Sequence, residues 1–168
     1  MVTTRFGSLQ DFQKGGVEPI DDDPKNYVFS NLFEVAGRAA PYARTAIAKN
    51  FQYVVEAVRA EGTSGWYTCA HDEFALCMDG EVEVHLIKLS RPEDIAEVGS
   101  EGARRLADGM PEGRKMGRVV IRRGHMALLP KGSAYRFQAA HPSALAIQTL
   151  DGPETLHRWA DICQTTAS

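Results

Sequence analysis

The stretch that most constrains the fold of this chain runs from Gly65 to Gly80 and leads directly into residues 81–89. In residues 81–89 charged or polar side chains alternate with apolar ones, as in a strand that buries one face. Three apolar side chains share the predicted buried face: Val82, Val84 and Leu86. Because Asp79-Gly80 supplies the positive φ angles of tight turns, the sequence predicts a β-hairpin through residues 78–81.

A second stretch, residues 123–135, contains a short apolar strand followed by the turn Pro130-Lys131-Gly132. The two stretches resemble the two sequence motifs of the cupin superfamily. The matching positions are Glu73 and Gly80 in the first stretch, and Gly124, Pro130 and Gly132 in the second. The resemblance implies an all-β fold, a single cupin-type antiparallel β-barrel.

Most metal ligands of the cupin motifs are missing from this chain. The resemblance places the family's His-x-His pair at Tyr67 and Cys69, or one residue earlier, and its third histidine at Tyr135. Only Glu73 matches a usual ligand. We therefore treat Tyr67, Cys69, Glu73 and Tyr135 as degenerate metal-motif positions and expect no metal in this chain.

A relocated metal site formed by His71, Glu73 and Tyr135 is the alternative, since a phenolate can bind ferric iron. Ferrous oxygenases, however, use two histidines and one carboxylate on one face, and only one histidine lies in the ligand regions of the motifs. An acid–base pair of His71 and Glu73 would need both side chains to converge on a substrate. Because the motif has no ligand at His71, we favour a structural role for it.

The chain has 168 residues, of which 43% are apolar and 24% charged, as in an ordinary single-domain globular protein. Turn residues interrupt residues 1–44 at several positions, so we predict that this segment is an N-terminal arm outside the barrel. This arm either folds back on its own barrel or lies across a second subunit. We predict that residues 45–168 form the barrel, with an inserted loop at 91–117 and a short amphipathic helix at 153–163.

Apolar and β-branched runs predict further strands in the barrel. They cover residues 45–48, 51–59, 117–122, 125–129, 135–139 and 145–150. The run at 51–59 also suits a helix, but its position just before the first motif favours a strand. Within the inserted loop, residues 93–98 and 101–107 have helical character.

Charge and hydropathy argue against several classes of function. The net charge of −3, without a basic cluster, disfavours a nucleic-acid partner. No apolar run approaches the ~18 residues of a membrane span, and no signal-peptide pattern begins the chain. The three cysteines include no Cys-x-x-Cys pair, which is typical of reduced thiols. We therefore expect a cytoplasmic protein.

Trp66 is the candidate substrate-binding residue, and no catalytic residue is assigned. It lies at the predicted mouth of the first motif, beside the positions of the family's histidines. Its indole offers a flat apolar face for an aromatic ring and a single N–H donor. The alternative is that Trp66 fills the barrel core.

Beyond the superfamily, the chain resembles the small (alpha) subunit of the two-subunit hydroquinone 1,2-dioxygenases over nearly its full length. The resemblance rests on residues 27–31 (YVFSN), 59–64 (RAEGTS), 70–74 (AHDEF), 78–83 (MDGEVE), 115–117 (KMG) and 122–125 (RRGH). In that family a larger cupin subunit holds the ferrous ion, Fe(II), and the small subunit holds none. The resemblance implies that the complex uses dioxygen to open hydroquinone to 4-hydroxymuconic semialdehyde, in bacterial breakdown of hydroquinone and 4-nitrophenol.

Two other functions stay open at this point. The chain is then either a free-standing, metal-free cupin that binds a small molecule or regulates a neighbour, or an isomerase-type cupin. The isomerase would use His71 or Tyr135 as acid–base groups and would be active alone without iron. A dioxygenase subunit, in contrast, is expected to be inactive without its partner.

Overall fold

The computed structural model describes residues 6–14, 18, 20–22, 30–96 and 101–162, without the side chains of residues 160 and 162. The parts of our predictions that concern residues 27–29, 97–98 and 163 lie outside the described residues. No helix within the described ranges is long and apolar enough to cross a membrane.

The described chain is mostly β, which confirms the predicted all-β class. The strands are β1 (Arg44–Asn50), β2 (Tyr53–Thr63), β3 (Tyr67–Thr68), β4 (Glu73–Asp79), β5 (Glu81–Leu89), β6 (Arg104–Arg105), β7 (Gly113–Arg122), β8 (Met126–Leu129), β9 (Ser133–Leu150) and β10 (Thr155–Leu156). They belong to one sheet, which curls into a half-barrel. In the described ranges, two α-helices, α1 (Leu32–Arg38) and α2 (Trp159–Ile162), and a 3-10 helix at Pro92–Asp94 accompany the sheet.

Strand β9 organises the sheet. It is 18 residues long and pairs antiparallel with β2, β3, β4 and β5. The sequence predicts two strands here, at 135–139 and 145–150, and the structure joins them into one. Pro142 falls in a gap in the pairing of β9 with its neighbours, so its missing N–H interrupts no regular pair.

The predicted hairpin at residues 78–81 is wrong. Within the described sheet β4 and β5 each pair with β9, and not with each other. They act as one bent strand with the bend at Gly80, where φ is 76°. A Cβ at Gly80 would lie 2.2 Å from Ser143 Oγ, so the close approach of β9 requires glycine. The positive φ was predictable, but β4 and β5 both pair with β9, one after the other, so the chain continues along β9 at Gly80 and does not reverse.

The other predicted strands at 45–48, 51–59, 81–89, 117–122 and 125–129 are confirmed, with shifted ends. The end of β2 and the start of β7 each extend four residues beyond the prediction, and the start of β2 shifts by two. Phe51, with φ of 55°, forms a turn after β1, and the strand begins at Tyr53. Val82, Val84 and Leu86 face the interior, as the alternation predicts.

The N-terminal segment contains a helix that the sequence did not predict. Helix α1 begins after Asn31, whose side-chain oxygen accepts hydrogen bonds from the backbone N–H groups of Phe33 (2.9 Å) and Glu34 (3.3 Å). Further upstream, the backbone N–H of Leu9 donates to Asp79 Oδ2 at 2.8 Å. The described part of the arm therefore contacts its own barrel, one of the two alternatives given above.

The inserted loop and the C-terminus contain less helix than predicted. Residues 101–107 contain strand β6, which pairs with β3, and Gly102 has a φ of 72° that a helix does not allow. Leu156, predicted on the C-terminal helix, lies in β10 and pairs with β1. Only residues Trp159–Ile162 are helical there. In both places a neighbouring strand offers backbone partners that local apolar spacing cannot reveal.

Candidate functional site

The interior of the barrel holds a buried ionic cluster, which we call the Arg44 cluster (Arg44, Glu56, Glu73 and Tyr135). Arg44 is 3% exposed, and its Nε donates to Glu56 Oε2 at 2.5 Å. Its Nη1 donates to the Tyr135 hydroxyl at 2.8 Å, and its Nη2 donates to Glu73 Oε1 at 2.8 Å. The Tyr135 hydroxyl donates to Glu73 Oε2 at 2.5 Å, and Thr155 Oγ1 donates to Glu56 Oε1 at 2.7 Å. Each oxygen of both carboxylates thus has a partner.

Strand alternation places these polar groups inside. Glu56 lies between Val54 and Val58 on the buried face of β2, and all three are at most 1% exposed. Tyr135 likewise shares the buried face of β9 with Phe137. A buried carboxylate is costly unless it is paired and hydrogen-bonded. Arg44 meets that requirement for Glu56 and Glu73 together.

Burial and neighbouring charges determine the protonation states in the cluster. Burial lowers the pKa of a guanidinium, but Tyr135, Glu73 and Glu56 outweigh it and hold the pKa of Arg44 well above its ordinary value. Burial also raises the pKa of the Tyr135 phenol well above its ordinary value, against the influence of Arg44. Tyr135 therefore stays a neutral phenol and remains a hydrogen-bond donor to Glu73.

Three degenerate metal-motif positions contact the Arg44 guanidinium. Glu73 and Tyr135 bind it directly, and its Cζ lies 5.7 Å from the centre of the Tyr67 ring. The Tyr67 and Tyr135 rings also stack, with centres 5.8 Å apart. This arrangement does not fit a divalent metal ion, because a cation already binds the one retained ligand and phenols replace two histidines.

The fourth position, Cys69, and the neighbouring His71 do not complete a metal site either. Burial, with a contribution from Glu73, raises the pKa of the Cys69 thiol to about 12, and the thiol donates to the Gly102 carbonyl at 3.2 Å. His71 Nδ1 lies 2.9 Å from the Asp72 carbonyl, and its buried Nε2 has no partner among the described residues. Across the described ranges, no group of three or more His, Cys, Asp or Glu residues could hold a metal.

A cavity of about 450 Å³ opens beside the Arg44 cluster. Tyr42, Arg44, Tyr67 and Arg105 contribute to its lining. Burial, with Tyr67 nearby, raises the pKa of the Tyr42 phenol to about 12. The described residues that line the cavity do not include Trp66, which the sequence had placed at the barrel mouth.

Trp66 instead belongs to a second apolar cluster, separate from the interior cluster that contains Tyr67. Its buried neighbours are Ile87, Leu89 and Ala134. Trp66 is 7% exposed, and the Arg136 guanidinium covers its ring, with Cζ 4.7 Å from the ring centre. The indole N–H has no hydrogen-bond acceptor within the described part of the chain, so its donor is available to a group from outside.

Comparisons with solved structures give near full-length matches. The chain is 60% identical to a chain of hydroquinone 1,2-dioxygenase from Sphingomonas sp. TTNP3 with 4-hydroxybenzoate bound, covering 99% of this chain and 100% of that one, with a TM-score of 0.96. It is 47% identical to a chain of hydroquinone 1,2-dioxygenase PnpCD in complex with Cd²⁺ and 4-hydroxybenzonitrile, covering 98% of each, with a TM-score of 0.92. No family model matches the chain. The search of curated proteins also finds no match.

This chain belongs to the hydroquinone 1,2-dioxygenase family of cupin-type subunits. A structure of PnpCD in complex with Fe³⁺ provides another matching chain, with a TM-score of 0.62 and 11% identity over 84% of this chain and 38% of that one. At that identity the likeness shows the fold alone. The two matched PnpCD chains differ in length, since this chain spans 98% of one and 38% of the other.

The sequence analysis did not identify three residues of this chain: Arg44, Glu56 and Arg136. Glu56 could have been recognised, because it is a carboxylate in a predicted apolar strand and shares the face of Val54 and Val58. Such a carboxylate predicts a buried cation. The sequence does not identify that cation. Arg44 lies at the predicted boundary between arm and barrel, and strand β1 begins at this residue.

Proposed function

We propose that this chain is the small, metal-free subunit of hydroquinone 1,2-dioxygenase and that it supports a larger, iron-bearing cupin subunit. The observation that carries this proposal is the Arg44 cluster. A guanidinium binds Glu73 and Tyr135 at the positions where the cupin motifs bind a metal. The metal of the dioxygenase then belongs to the other chain, consistent with the two chain lengths matched in PnpCD.

An apolar outer surface supports a protein partner. Six large hydrophobic side chains of β4, β7 and β8 are more than a third exposed: Phe74, Met116, Val119, Val120, Met126 and Leu128. Phe74 and Leu128 are cross-strand neighbours, so part of this surface is continuous. Contiguous exposed apolar area is typical of protein–protein interfaces. We assign it to the hetero-oligomer with the larger cupin.

The proposed reaction is the dioxygen-dependent opening of hydroquinone to 4-hydroxymuconic semialdehyde in a cytoplasmic complex. The ferrous ion of the larger subunit supplies the oxygen chemistry, and this chain lines part of the substrate pocket through Trp66. A hydroquinone hydroxyl that points away from the metal needs a partner once buried. The indole N–H of Trp66, which has no acceptor among the described residues, is suited to that role.

Co-expression with the larger cupin, followed by metal analysis of each separated chain and a ring-opening assay, tests the proposal. We expect iron in the larger chain only, and ring opening by the complex but not by this chain alone. One tightly held metal per small chain, lost in Glu73→Ala and kept in the control Glu34→Ala outside the Arg44 cluster, would contradict the metal-free role. Failure of the two chains to copurify would favour a free-standing cupin.

A further inference from the structure

Arg136 carries a positive charge that the described chain leaves without a counter-ion. Its guanidinium lies over the Trp66 ring, with Cζ 4.7 Å from the ring centre. Its Nε is buried and has no hydrogen-bond acceptor in the described ranges, where the side chain also forms no ion pair. A buried donor without an acceptor is costly. The conformation of Arg136 therefore favours contact with Trp66 over hydrogen bonding.

Neighbouring charges show why Arg136 stays unpaired. In the sheet His85 of β5 has Arg118 of β7 on one side and Arg136 of β9 on the other. The nearby carboxylate of Glu83 is already bound by Arg118, at 3.3 Å to each oxygen, and lies 3.0 Å from His85 Nε2. Arg118 and Arg136 thus both lie opposite His85 in the sheet, but they differ in their side-chain partners. Arg118 has a carboxylate, whereas Arg136 has an indole.

We propose that Arg136 is a specificity-determining residue of the assembled dioxygenase. It holds the Trp66 indole in place and favours phenols that carry a negative charge para to their hydroxyl group. This inference rests on the proposed role of Trp66 in the substrate pocket. A ligand group that reaches the Trp66 N–H lies beside the Arg136 guanidinium, and a cation attracts an anion strongly where water is excluded.

Two ligands of similar shape and different charge provide the probe. Related enzymes have been observed with 4-hydroxybenzoate, whose para substituent is an anionic carboxylate, and with 4-hydroxybenzonitrile, whose para substituent is a neutral nitrile. In the co-expressed complex, Arg136→Met should weaken inhibition by 4-hydroxybenzoate by about tenfold or more. Inhibition by 4-hydroxybenzonitrile should change by less than about threefold, since no charge contact is lost. Arg136→Lys, which keeps the charge, should retain part of the preference for the anion.

Arg118→Met is the matched control, because it removes a cation at the equivalent register position and should change neither inhibition constant. Equal weakening of both ligands by Arg136→Met would show a merely structural residue and overturn the proposal, as would no weakening. If Arg136→Met does not assemble, Arg136→Gln replaces it in the same comparison. Trp66→Phe separates the two proposals: if it changes neither constant, the proposed pocket role of Trp66 is wrong. If Trp66→Phe weakens inhibition by both ligands while Arg136→Met leaves the ratio of the two inhibition constants unchanged, only the inference about Arg136 fails.

The stacking itself has an independent readout in tryptophan fluorescence. The chain has two tryptophans, Trp66 and Trp159, so a Trp159→Phe background isolates the emission of Trp66. In that background Arg136→Met should shift or brighten the emission, and Arg118→Met should not. Unchanged emission in Arg136→Met would contradict the positioning role.

Discussion

The barrel interior and the outer face around Trp66 differ in whether their polar groups have hydrogen-bond partners. In the interior, the guanidinium of Arg44 and both carboxylates are hydrogen-bonded within the chain. On the outer face, the Trp66 N–H and the Arg136 guanidinium lack acceptors among the described residues. Groups that satisfy one another contribute to the stability of the fold, whereas unpaired donors are available to other molecules. The difference suggests that the interior is structural and the outer face is functional.

The interior also shows how a guanidinium can hold the polar centre of a cupin-type barrel. A metal ion binds several inward-facing side chains and neutralises their charge. Arg44 binds both Glu56 and Glu73 and offsets part of their charge, while Tyr135 provides a neutral bridge. Variants of the interior should therefore lose stability, and variants of the outer face should lose activity.

Arg44→Met should have the largest effect, because it leaves Glu56 and Glu73 buried without a cation. We expect the free energy of unfolding to fall by about 3–5 kcal/mol, as when one partner of a buried ion pair is removed. Urea unfolding followed by circular dichroism measures this loss. Arg38→Met, which removes an exposed ion pair with Glu34, is the control and should cost less than about 1 kcal/mol. A similar small loss in Arg44→Met would mean that the interior does not depend on its cation.

Tyr135→Phe should have the next largest effect on stability. It keeps the ring but removes the hydroxyl that accepts from Arg44 and donates to Glu73. The free energy of unfolding should fall by about 1–3 kcal/mol, the cost of leaving a buried polar group unpaired. The control Tyr42→Phe removes a hydroxyl that bonds the exposed Gly62 carbonyl and should cost less. Equal losses in the two variants would contradict the special role of the cluster.

Trp66→Phe should separate activity from stability. In the assembled enzyme, kcat/KM for hydroquinone should fall by an amount equivalent to about 1–3 kcal/mol, because the distal hydroxyl loses its donor. The free energy of unfolding and the iron content of the partner should change little. Trp66→Ala should be worse and should also loosen the packing around Ile87 and Leu89. Wild-type kcat/KM in Trp66→Phe would refute the donor role, and loss of assembly would assign Trp66 to the core or the interface.

The smallest expected effect concerns the Cys69 thiol and tests whether the interior is closed. Burial raises its pKa to about 12, from an ordinary value of 9.0, so the reactive thiolate is scarce below pH 12 and increases only toward that pH. At pH 8 iodoacetamide should label Cys69 slowly in the folded chain and quickly in urea. Peptide mapping by mass spectrometry distinguishes it from the other cysteines. Rapid labelling of the folded chain would show that the interior is open.

Local patterns in the sequence determined much of this structure. The alternation at residues 81–89 predicted β5 and its buried face, and Asp79-Gly80 predicted a positive φ at Gly80. The motif spacing also picked out Glu73 and Tyr135 as related positions, and these two side chains do meet. Such features are predictable because strand sidedness and glycine conformations depend on residues adjacent in the chain.

Only the tertiary structure decided which distant groups meet. Arg44 reaches Glu73 across 29 positions of the chain and Tyr135 across 91. The same long-range pairing aligns β4 and β5 one after the other along β9, so they do not form the predicted hairpin. It also brings Arg136 over Trp66, on the side away from the interior cluster. Alternation along a strand tells which residues share a face, but it does not tell which strand lies beside it, because that depends on the packing of the whole sheet.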